Sequence, residues 1–220
     1  MKKLFVLFIG FMFLAGCGTM TASKTGFLGE YADKLQPGPE GGAKLRWLKP
    51  GVDFAKYNKV MVAPISFPAA DDSEAKALAD IDPAQLKELG EKCTQAVIDG
   101  IKTKYPIATA PGPDVAQVRF AIIDLKKSYP VLSGFTSIAP PALAINLIRK
   151  GATGTWTGGG STVGQAMTMD STTNEVIAAA QDKYEAGFFE RFSTYGQAEA
   201  AFKSWGEKIA KFLDEAHGKK

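Results

Sequence analysis

Cys17 is the residue best placed for covalent chemistry, because it closes the sequence L-A-G-C at the end of an apolar leader. A basic start precedes twelve mainly apolar residues from Leu4 to Ala15. That is the length of a signal-peptide core, whereas a membrane-spanning helix needs about 20 residues. The L-A-G-C sequence matches the bacterial lipobox, in which the cysteine thiol receives diacylglycerol. We therefore expect removal of residues 1–16 and lipidation of Cys17, with palmitate among the acyl chains.

A lipid on Cys17 predicts the compartment of the protein. Acyl chains contribute about 0.8 kcal/mol per buried methylene, so two chains hold a protein stably on a bilayer without a spanning segment. Gly18 follows the cysteine, and a residue other than aspartate at this position is typical of export to the outer membrane in enterobacteria-like organisms. We expect a protein of the bacterial cell envelope that faces the periplasm and contacts the outer membrane through its lipid.

Other side chains capable of chemistry are few. One histidine and two cysteines exclude a multi-disulfide scaffold, a Cys/His zinc site and most His-based catalysis. His217 lies next to the Lys-rich C-terminus, where a general base would lack a positioned nucleophile. Cys93 lies on an apolar helical stripe, which predicts a small buried residue, with an intermolecular disulfide as the alternative. We predict no catalytic residue, no metal and no cofactor, and hence no enzyme.

Two further segments resemble ligand-binding motifs without their defining residues. The stretch GATGTWTGGGSTVGQ lacks the lysine of a nucleotide-binding P-loop. It predicts a flexible loop or an edge strand softened by glycine, with a partner-binding loop as the alternative. Asp71, Asp72 and Glu74 lack the spacing of an EF-hand, so a solvated loop is predicted there.

An aromatic stretch just before the last predicted helix is the candidate partner surface. Its residues are Tyr184, Phe188, Phe189, Phe192 and Tyr195. Aromatic side chains dominate the binding energy of many protein interfaces. Core packing beneath the helix is the alternative reading of the same residues.

Composition indicates one ordinary globular domain. The chain has 220 residues, of which 45% are apolar and 22% are charged, with a formal net charge of +3. Loss of Lys2 and Lys3 with the leader leaves 24 of the 26 basic residues against 23 acidic ones. A nearly neutral chain gives no reason to expect nucleic acid as a partner, and the sequence makes no prediction of the oligomeric state.

The mature chain divides into two parts. Residues 17–56 are rich in Gly, Pro, Thr and Lys and have no run long enough for a confident helix or strand, so they predict a lipidated tether and wrapping segment. Five apolar side chains within it are expected to dock on the domain: Phe27, Leu28, Tyr31, Leu35 and Trp47. Residues 57–217 are predicted to form a single domain.

The order of elements in that domain predicts its fold class. Strands are expected at 60–63, 107–110 and 118–125, and a hairpin at 163–170 and 176–182. Asp82 and Pro83 begin a predicted helix, and a second helix begins near Gln197. The expected fold is α+β, a sandwich-like domain whose mixed or mainly antiparallel sheet carries two main amphipathic helices on one face. A parallel α/β fold is the alternative.

A series of motifs runs along the chain. G-F-L-x-x-Y follows the lipobox, and L-Q-P-G, L-x-P-G-x-D and Y-x-K-V-M-V lie before and within the first predicted strand. Further on are PGPDVAQVRFAIIDL, NEVIAAAQD and the helix bearing Trp205. Together these motifs resemble those of the bacterial lipoproteins catalogued as domain of unknown function 3313, and the resemblance covers most of the chain. It implies a lipoprotein facing the periplasm, with no agreed biochemical activity.

Three functions from different classes fit these observations. The first is a non-enzymatic, lipid-anchored envelope protein that binds an envelope protein or component. The second is a carrier of an apolar ligand such as lipid, with the Gly-rich and aromatic stretches at a pocket mouth. A hydrolase of envelope polymers is a remote third, since it would depend on carboxylates alone.

Replacing Cys17 by Ser tests the predicted lipidation. The hydroxyl is not a substrate for thioether formation, so the variant should lack lipid and retain its leader. Mass spectrometry of the membrane-purified protein should find acyl chains on Cys17 in the parent alone. An unmodified Cys17 in the parent would contradict the prediction.

Overall fold

The computed structural model describes residues 20–67, 78, 81–130, 150 and 156–219. Cys17 and the acidic loop of Asp71, Asp72 and Glu74 lie outside the described residues, as does the first part of the Gly-rich stretch. Within the described part of the chain, no helix is long and apolar enough to cross a membrane.

Six strands form one sheet in the spatial order β1-β2-β6-β5-β4-β3. In chain order they are β1 (Gln36–Pro37), β2 (Leu45–Leu48), β3 (Lys59–Val62), β4 (Val115–Lys126), β5 (Ser161–Asp170) and β6 (Val176–Glu185). The β3–β4 pair is parallel, and the other neighbouring pairs are antiparallel. Two long helices, α1 (Pro83–Ile101) and α2 (Gly196–Ala216), pack on one face of this sheet. The predicted α+β fold is confirmed.

Helix α1 begins where its capping residues predict. The Asp82 carboxylate accepts hydrogen bonds from the backbone N–H groups of Ala84 and Gln85, at 2.8 and 3.3 Å. Pro83 has no backbone N–H and therefore needs no acceptor in the first turn. Its buried stripe runs through Leu89, Cys93, Val97 and Ile101. Cys93 is fully buried, so its predicted burial is confirmed, and this burial raises the pKa of the thiol to about 12.

The two helices touch through glycine. A Cβ on Gly100 of α1 would lie 2.4 Å from the carbonyl oxygen of Lys203, and a Cβ on Gly206 of α2 would lie 2.4 Å from that of Val97. Any side chain at either position would separate the helices. The close contact therefore depends on both glycines.

Helix α2 rests on the sheet through Trp205. The indole is parallel to Phe120 of β4, with ring centroids 6.4 Å apart, and lies edge-on to Phe202 at 4.8 Å. A Cβ on Gly164 would lie 2.3 Å from the indole ring. Gly164 lies in β5, within the strand predicted at 163–170, and β5 is at the centre of the sheet rather than at the edge that the glycine-rich stretch suggested. Its lack of a side chain makes room for Trp205.

Residues 20–35, here called the N-terminal strap, cover the opposite face of the sheet. Two buried glutamines, Gln165 and Gln181, are opposite each other on β5 and β6 and hold the strap backbone. Gln165 Nε2 donates to the Ser23 carbonyl at 2.8 Å, and Gln181 Nε2 donates to the Thr21 carbonyl at 3.0 Å. The Ser23 N–H donates in return to Gln181 Oε1 at 2.8 Å.

Apolar side chains of the strap extend this contact toward β2. Leu28 is fully buried, a short 3₁₀ helix covers Gly29–Lys34, and the Tyr31 and Trp47 rings lie 5.0 Å apart. The five apolar residues predicted to dock do so: Phe27, Leu28, Tyr31, Leu35 and Trp47. The strap is therefore part of the folded domain.

Secondary structure departs from the sequence expectation at two places. Residues 36–48 contribute β1 and β2, although the segment before Tyr57 is expected to lack strands. Both are too short to show periodicity, and they are defined by pairing with β6. The strand expected at 107–110 is reduced to a single bridge from Ile107 to Val60. Pro106 before it and the turn after it leave no length for a ladder.

Asp170 anchors the turn between β5 and β6. Its carboxylate accepts hydrogen bonds from Lys56 Nζ at 2.8 Å, Tyr57 OH at 3.0 Å and Thr172 Oγ1 at 2.6 Å, and from the backbone N–H groups of Thr172 and Thr173. The Lys56 and Thr172 hydrogen bonds hold the pKa of Asp170 well below its ordinary value. The ionised carboxylate thus joins the hairpin turn to the chain leading into β3.

Trp205→Ala should leave the fold marginally stable. Truncation of a large buried aromatic side chain typically costs about 3–5 kcal/mol, against about 5–15 kcal/mol for the unfolding free energy of a whole domain. The matched control is Lys203→Ala, because Lys203 is exposed on the same helix. Urea melts of a chain starting at Gly18 should separate the two variants. Equal midpoints would contradict the assignment of Trp205 to the core.

Asp170→Asn should reduce stability most at neutral pH. The folded pKa of Asp170 is lower than the unfolded one, so the ionised group stabilises the fold above about pH 4, and this contribution declines as the pH falls further. We expect a loss of about 1.5–3 kcal/mol at pH 7, as for hydrogen bonds to charged groups, and a smaller loss near pH 3. Asp33→Asn is the control, since Asp33 forms an exposed ion pair with Lys24. A pH-independent difference in urea melts would count against the role of the charge.

Candidate functional site

An apolar cavity of about 140 Å³ lies between α2 and the sheet. Its floor is made of small residues on β4, β5 and β6 that face the helix, namely Ala116, Gly164, Ala166, Ala178 and Ala180. Its roof and walls are larger apolar side chains from β4, the Phe54–Lys56 3₁₀ turn and α2, among them Phe54, Phe120, Trp205, Ile209 and Phe212. The lining is predominantly hydrophobic, as is usual for small-molecule sites.

The cavity persists because α2 cannot move down to fill it. Trp205 already contacts the sheet at Gly164, and Gly206 already contacts α1 at Gly100. Between these contacts and the C-terminal end of α2, the side chains of Ala166, Ala178 and Ala180 on the cavity floor are too short to reach the helix. Protein interiors contain few voids larger than a water molecule, so a space of this size is a distinctive feature of the domain.

A charged rim borders the cavity beside β2. Lys208 of α2 donates to Asp182 Oδ2 at 2.6 Å and to the Gly42 carbonyl at 3.0 Å. The backbone N–H of Lys44 donates to the other oxygen of Asp182 at 3.2 Å. These bonds tie the β1–β2 turn to α2 and keep the rim in place.

Arg46 supplies the second cation of the rim. It lies on β2 opposite Ala180, and its guanidinium is 5.7 Å from the centre of the Phe212 ring. In the part of the chain that the structure describes, no carboxylate forms an ion pair with Arg46. Its charge is therefore available to an anion at the mouth of the cavity.

The aromatic residues predicted as a partner surface fall into two groups. Tyr184 and Tyr195 are partly buried against the main core, and burial raises the pKa of Tyr184. Phe188, Phe189 and Phe192 are exposed, Phe189 to 80%. The structure therefore keeps three of the five residues at the surface.

Arg191 organises the exposed phenylalanines. Its guanidinium is fully buried and lies 4.4 Å from the ring centre of Phe188, 4.7 Å from that of Trp156 and 5.2 Å from that of Phe192. Arg191 Nε also donates to the Phe188 carbonyl at 3.1 Å. We call Phe188, Phe189, Phe192 and the neighbouring exposed Tyr129 the aromatic patch.

The remaining candidates from the sequence lie apart from the cavity. His217 is at the C-terminal end of α2, where its ring nitrogens contact the Leu213 carbonyl at 2.6 Å and Asn58 Oδ1 at 3.2 Å. Asp170 and Glu175 border a more open polar depression beside Lys49 and Lys56, and each pairs with one of these lysines. Among the described residues, no cluster of His, Cys, Asp or Glu could hold a metal ion.

Sequence reasoning missed the cavity and Arg46. Arg46 lies in a segment with no predicted strand, and alanines in a strand pattern do not indicate whether the opposite helix fills the space above them. One signal was present in the sequence. In VIAAAQD, Ala178 and Ala180 lie on the same face of a strand, and Gly164 and Ala166 do so in the partner strand. Small residues on one face of a hairpin predict a cavity floor that lies far from the helix above it.

Three solved structures are distantly similar to this chain. A PelC dodecamer from Paraburkholderia phytofirmans is 10% identical, with 74% of this chain and 96% of that chain covered and a TM-score of 0.40. A point variant of the same protein has a TM-score of 0.39 at 10% identity, with 75% and 94% covered. Hypothetical protein CT253 from Chlamydia trachomatis is 11% identical, with 74% and 99% covered and a TM-score of 0.35. Likenesses at this level carry no argument about function.

No curated protein matches this chain. Residues 23–209 match the sequence profile of the family described as "Protein of unknown function (DUF3313)". The match begins in the strap and runs through the sheet into α2, and it confirms the resemblance identified from the sequence motifs. The chain therefore belongs to the DUF3313 family of proteins of unknown function.

Proposed function

We propose that this protein is a non-enzymatic, lipid-anchored protein of the bacterial cell envelope that binds an amphiphile in the cavity between α2 and the sheet. The ligand has an apolar chain or ring and an anionic head. The observation that carries the proposal is the apolar cavity of about 140 Å³ lined in part by Arg46, which forms no ion pair with any carboxylate of the described residues. Anchoring through Cys17 and the periplasmic, outer-membrane location are the parts of the proposal supported by the leader sequence.

The size of the cavity limits the apolar part of the ligand. An engineered cavity of about 150 Å³ lined by Leu, Ile and Phe stays dry and binds benzene. The cavity here is similar in volume and mainly apolar, so it accommodates a segment of one hydrocarbon chain or one ring. The remainder of a longer chain would pass out beside β2.

The rim favours an anionic head. Arg46 has no carboxylate partner among the described residues, and a guanidinium offers paired donors that fit a carboxylate or phosphate. Lys208 lies on the facing helix and adds positive charge, although Asp182 offsets part of it. A head group placed between β2 and α2 would therefore meet Arg46 first.

The two other functions have less support in the described residues. Binding of an envelope protein, the first hypothesis from the sequence, rests on the exposed phenylalanines, which are not among the residues that line the cavity. A hydrolase would need a carboxylate able to exchange protons near neutral pH. The pKa of the buried Asp170 is lowered, because Lys56 and Thr172 stabilise its ionised form, and the group is already committed to structural hydrogen bonds.

Titration calorimetry with dodecanoate and dodecanol tests the proposal. The described fold begins at Met20, so a chain starting at Gly18 retains every contact of the cavity. We expect Arg46→Gln to weaken dodecanoate binding about tenfold, or about 1.4 kcal/mol, and to leave dodecanol binding nearly unchanged. Arg119→Gln is the matched control, since Arg119 is exposed on β4 of the same sheet and outside the cavity lining.

A variant that fills the cavity separates specific binding from surface adsorption. Ala180→Leu should place a larger side chain in the cavity and weaken binding of both compounds. Thermal melts report whether the variant folds, and Ala166→Leu replaces it if Ala180→Leu does not. Unchanged binding in a folded cavity-filling variant, or no binding by the parent, would overturn the proposal.

A further inference from the structure

The aromatic patch and the start of the strap lie at the same end of the sheet. The loop bearing Phe188, Phe189 and Phe192 follows β6, and its neighbours are the segments just after β4 and just before β5. The Ala186 N–H donates to the Gly160 carbonyl at 2.9 Å, and the Ser128 N–H donates to that of Thr194 at 3.0 Å. The Tyr129 N–H donates to the Gly158 carbonyl at 2.7 Å, which places Tyr129 beside the segment that leads into β5.

The strap runs toward this end as the chain is followed back to its start. Leu28 packs near Met167 and Ala179 in the middle of β5 and β6. Met20 packs on Ala121, Ile123 and Val163, close to the last residues of β4 and the first residues of β5. Met20 therefore packs nearer than Leu28 to the end of the sheet that carries the aromatic patch.

Only a short piece of chain separates Met20 from Cys17. Three residues reach at most about 10–11 Å even when fully extended. A lipid on Cys17 would therefore hold this end of the domain close to the bilayer, because residues 17–20 are too few to form a long spacer. At the end of the sheet near which Met20 packs, Phe189 and Tyr129 are 80% and 61% exposed.

We propose that the aromatic patch is a membrane-contacting surface, which inserts into the interface of the leaflet that holds the lipid of Cys17. The occupant of the patch is thus a phospholipid surface. This inference rests on the lipid anchor of the proposed function. It adds an orientation: the domain stands on the bilayer with the ends of β4 and β6 downward.

The chemistry of the patch suits a bilayer interface. Aromatic side chains are favoured at the level of lipid headgroups, and these rings are held in place by the buried Arg191 beneath Phe188 and Phe192. Lys127 and Lys126, the latter 3.8 Å from Asp124, are exposed just before Ser128 and Tyr129, and basic residues near the surface are attracted to anionic phospholipids. An exposed patch of this kind beside a lipid anchor requires no protein partner to cover it.

Spin labelling of the full, lipidated chain tests the orientation. Cys17 carries the lipid and Cys93 is buried, so a label attaches to one introduced cysteine. Phe189→Cys probes the patch, and Glu175→Cys, at the opposite end of β6, is the matched control. The measurement uses vesicles of phosphatidylethanolamine and phosphatidylglycerol. It gives the ratio of the label's collision rate with oxygen to its collision rate with a water-soluble nickel chelate. This ratio should be several-fold higher for the label at 189 than for the label at 175.

Flotation of the same vesicles tests the lipid anchor separately from the membrane contact of the aromatic patch. Protein that fails to float refutes the lipid anchor, and the membrane-contacting patch falls with it. Protein that floats with a water-accessible label at 189 leaves the anchor standing and overturns the patch, whose exposed rings would then suit a protein partner. Phe192→Cys repeats the measurement if Phe189→Cys lowers the melting temperature.

Discussion

The contact between Gly100 of α1 and Gly206 of α2 determines where both helices lie on the sheet. The backbones meet without intervening side chains, so α1 sets the position of α2, and α1 is itself held by its capped start and its buried stripe. Trp205, one residue before Gly206, then reaches the sheet at Gly164. Three glycines and one indole thus define the height of α2, and the cavity is the space that remains beyond these contacts.

The two faces of the sheet are covered by different chemistry. On the helix face, apolar side chains dominate, and alanines under α2 leave the cavity open. On the other face, the side-chain amides of Gln165 and Gln181 donate hydrogen bonds to backbone carbonyls of the strap. Buried polar groups of this kind destabilise the fold unless they form hydrogen bonds. These hydrogen bonds fix the position of the strap on the sheet, and its first residue, Met20, packs nearer than Leu28 to the end that carries the aromatic patch. The anchor proposed at Cys17 would therefore constrain the orientation of the whole domain.

Local signals were sufficient for much of the fold. Asp82 and Pro83 predicted the start of α1, the spacing of Phe202, Trp205 and later residues predicted α2, and two apolar runs around a polar turn predicted the β5–β6 hairpin. Asn174 completes that turn with a φ of 59°, a conformation that asparagine tolerates. The short strands β1 and β2 were missed, because two and four residues carry no periodicity and their structure depends on hydrogen bonds to β6.

By itself the sequence determined the α+β class, the buried stripe around Cys93 and the family, and it carries the prediction of a lipobox leader. Each of these signals is contained within a few neighbouring residues or in a repeating pattern along one element. Only the tertiary structure decided that Gly164 faces Trp205, that Gly100 meets Gly206, that Arg46 borders a cavity and that Phe188, Phe189 and Phe192 remain exposed while Tyr184 and Tyr195 do not. The physical reason is that a void, a close backbone approach or an exposed ring is a relation between elements distant in the chain, and no single element encodes the position of its neighbour.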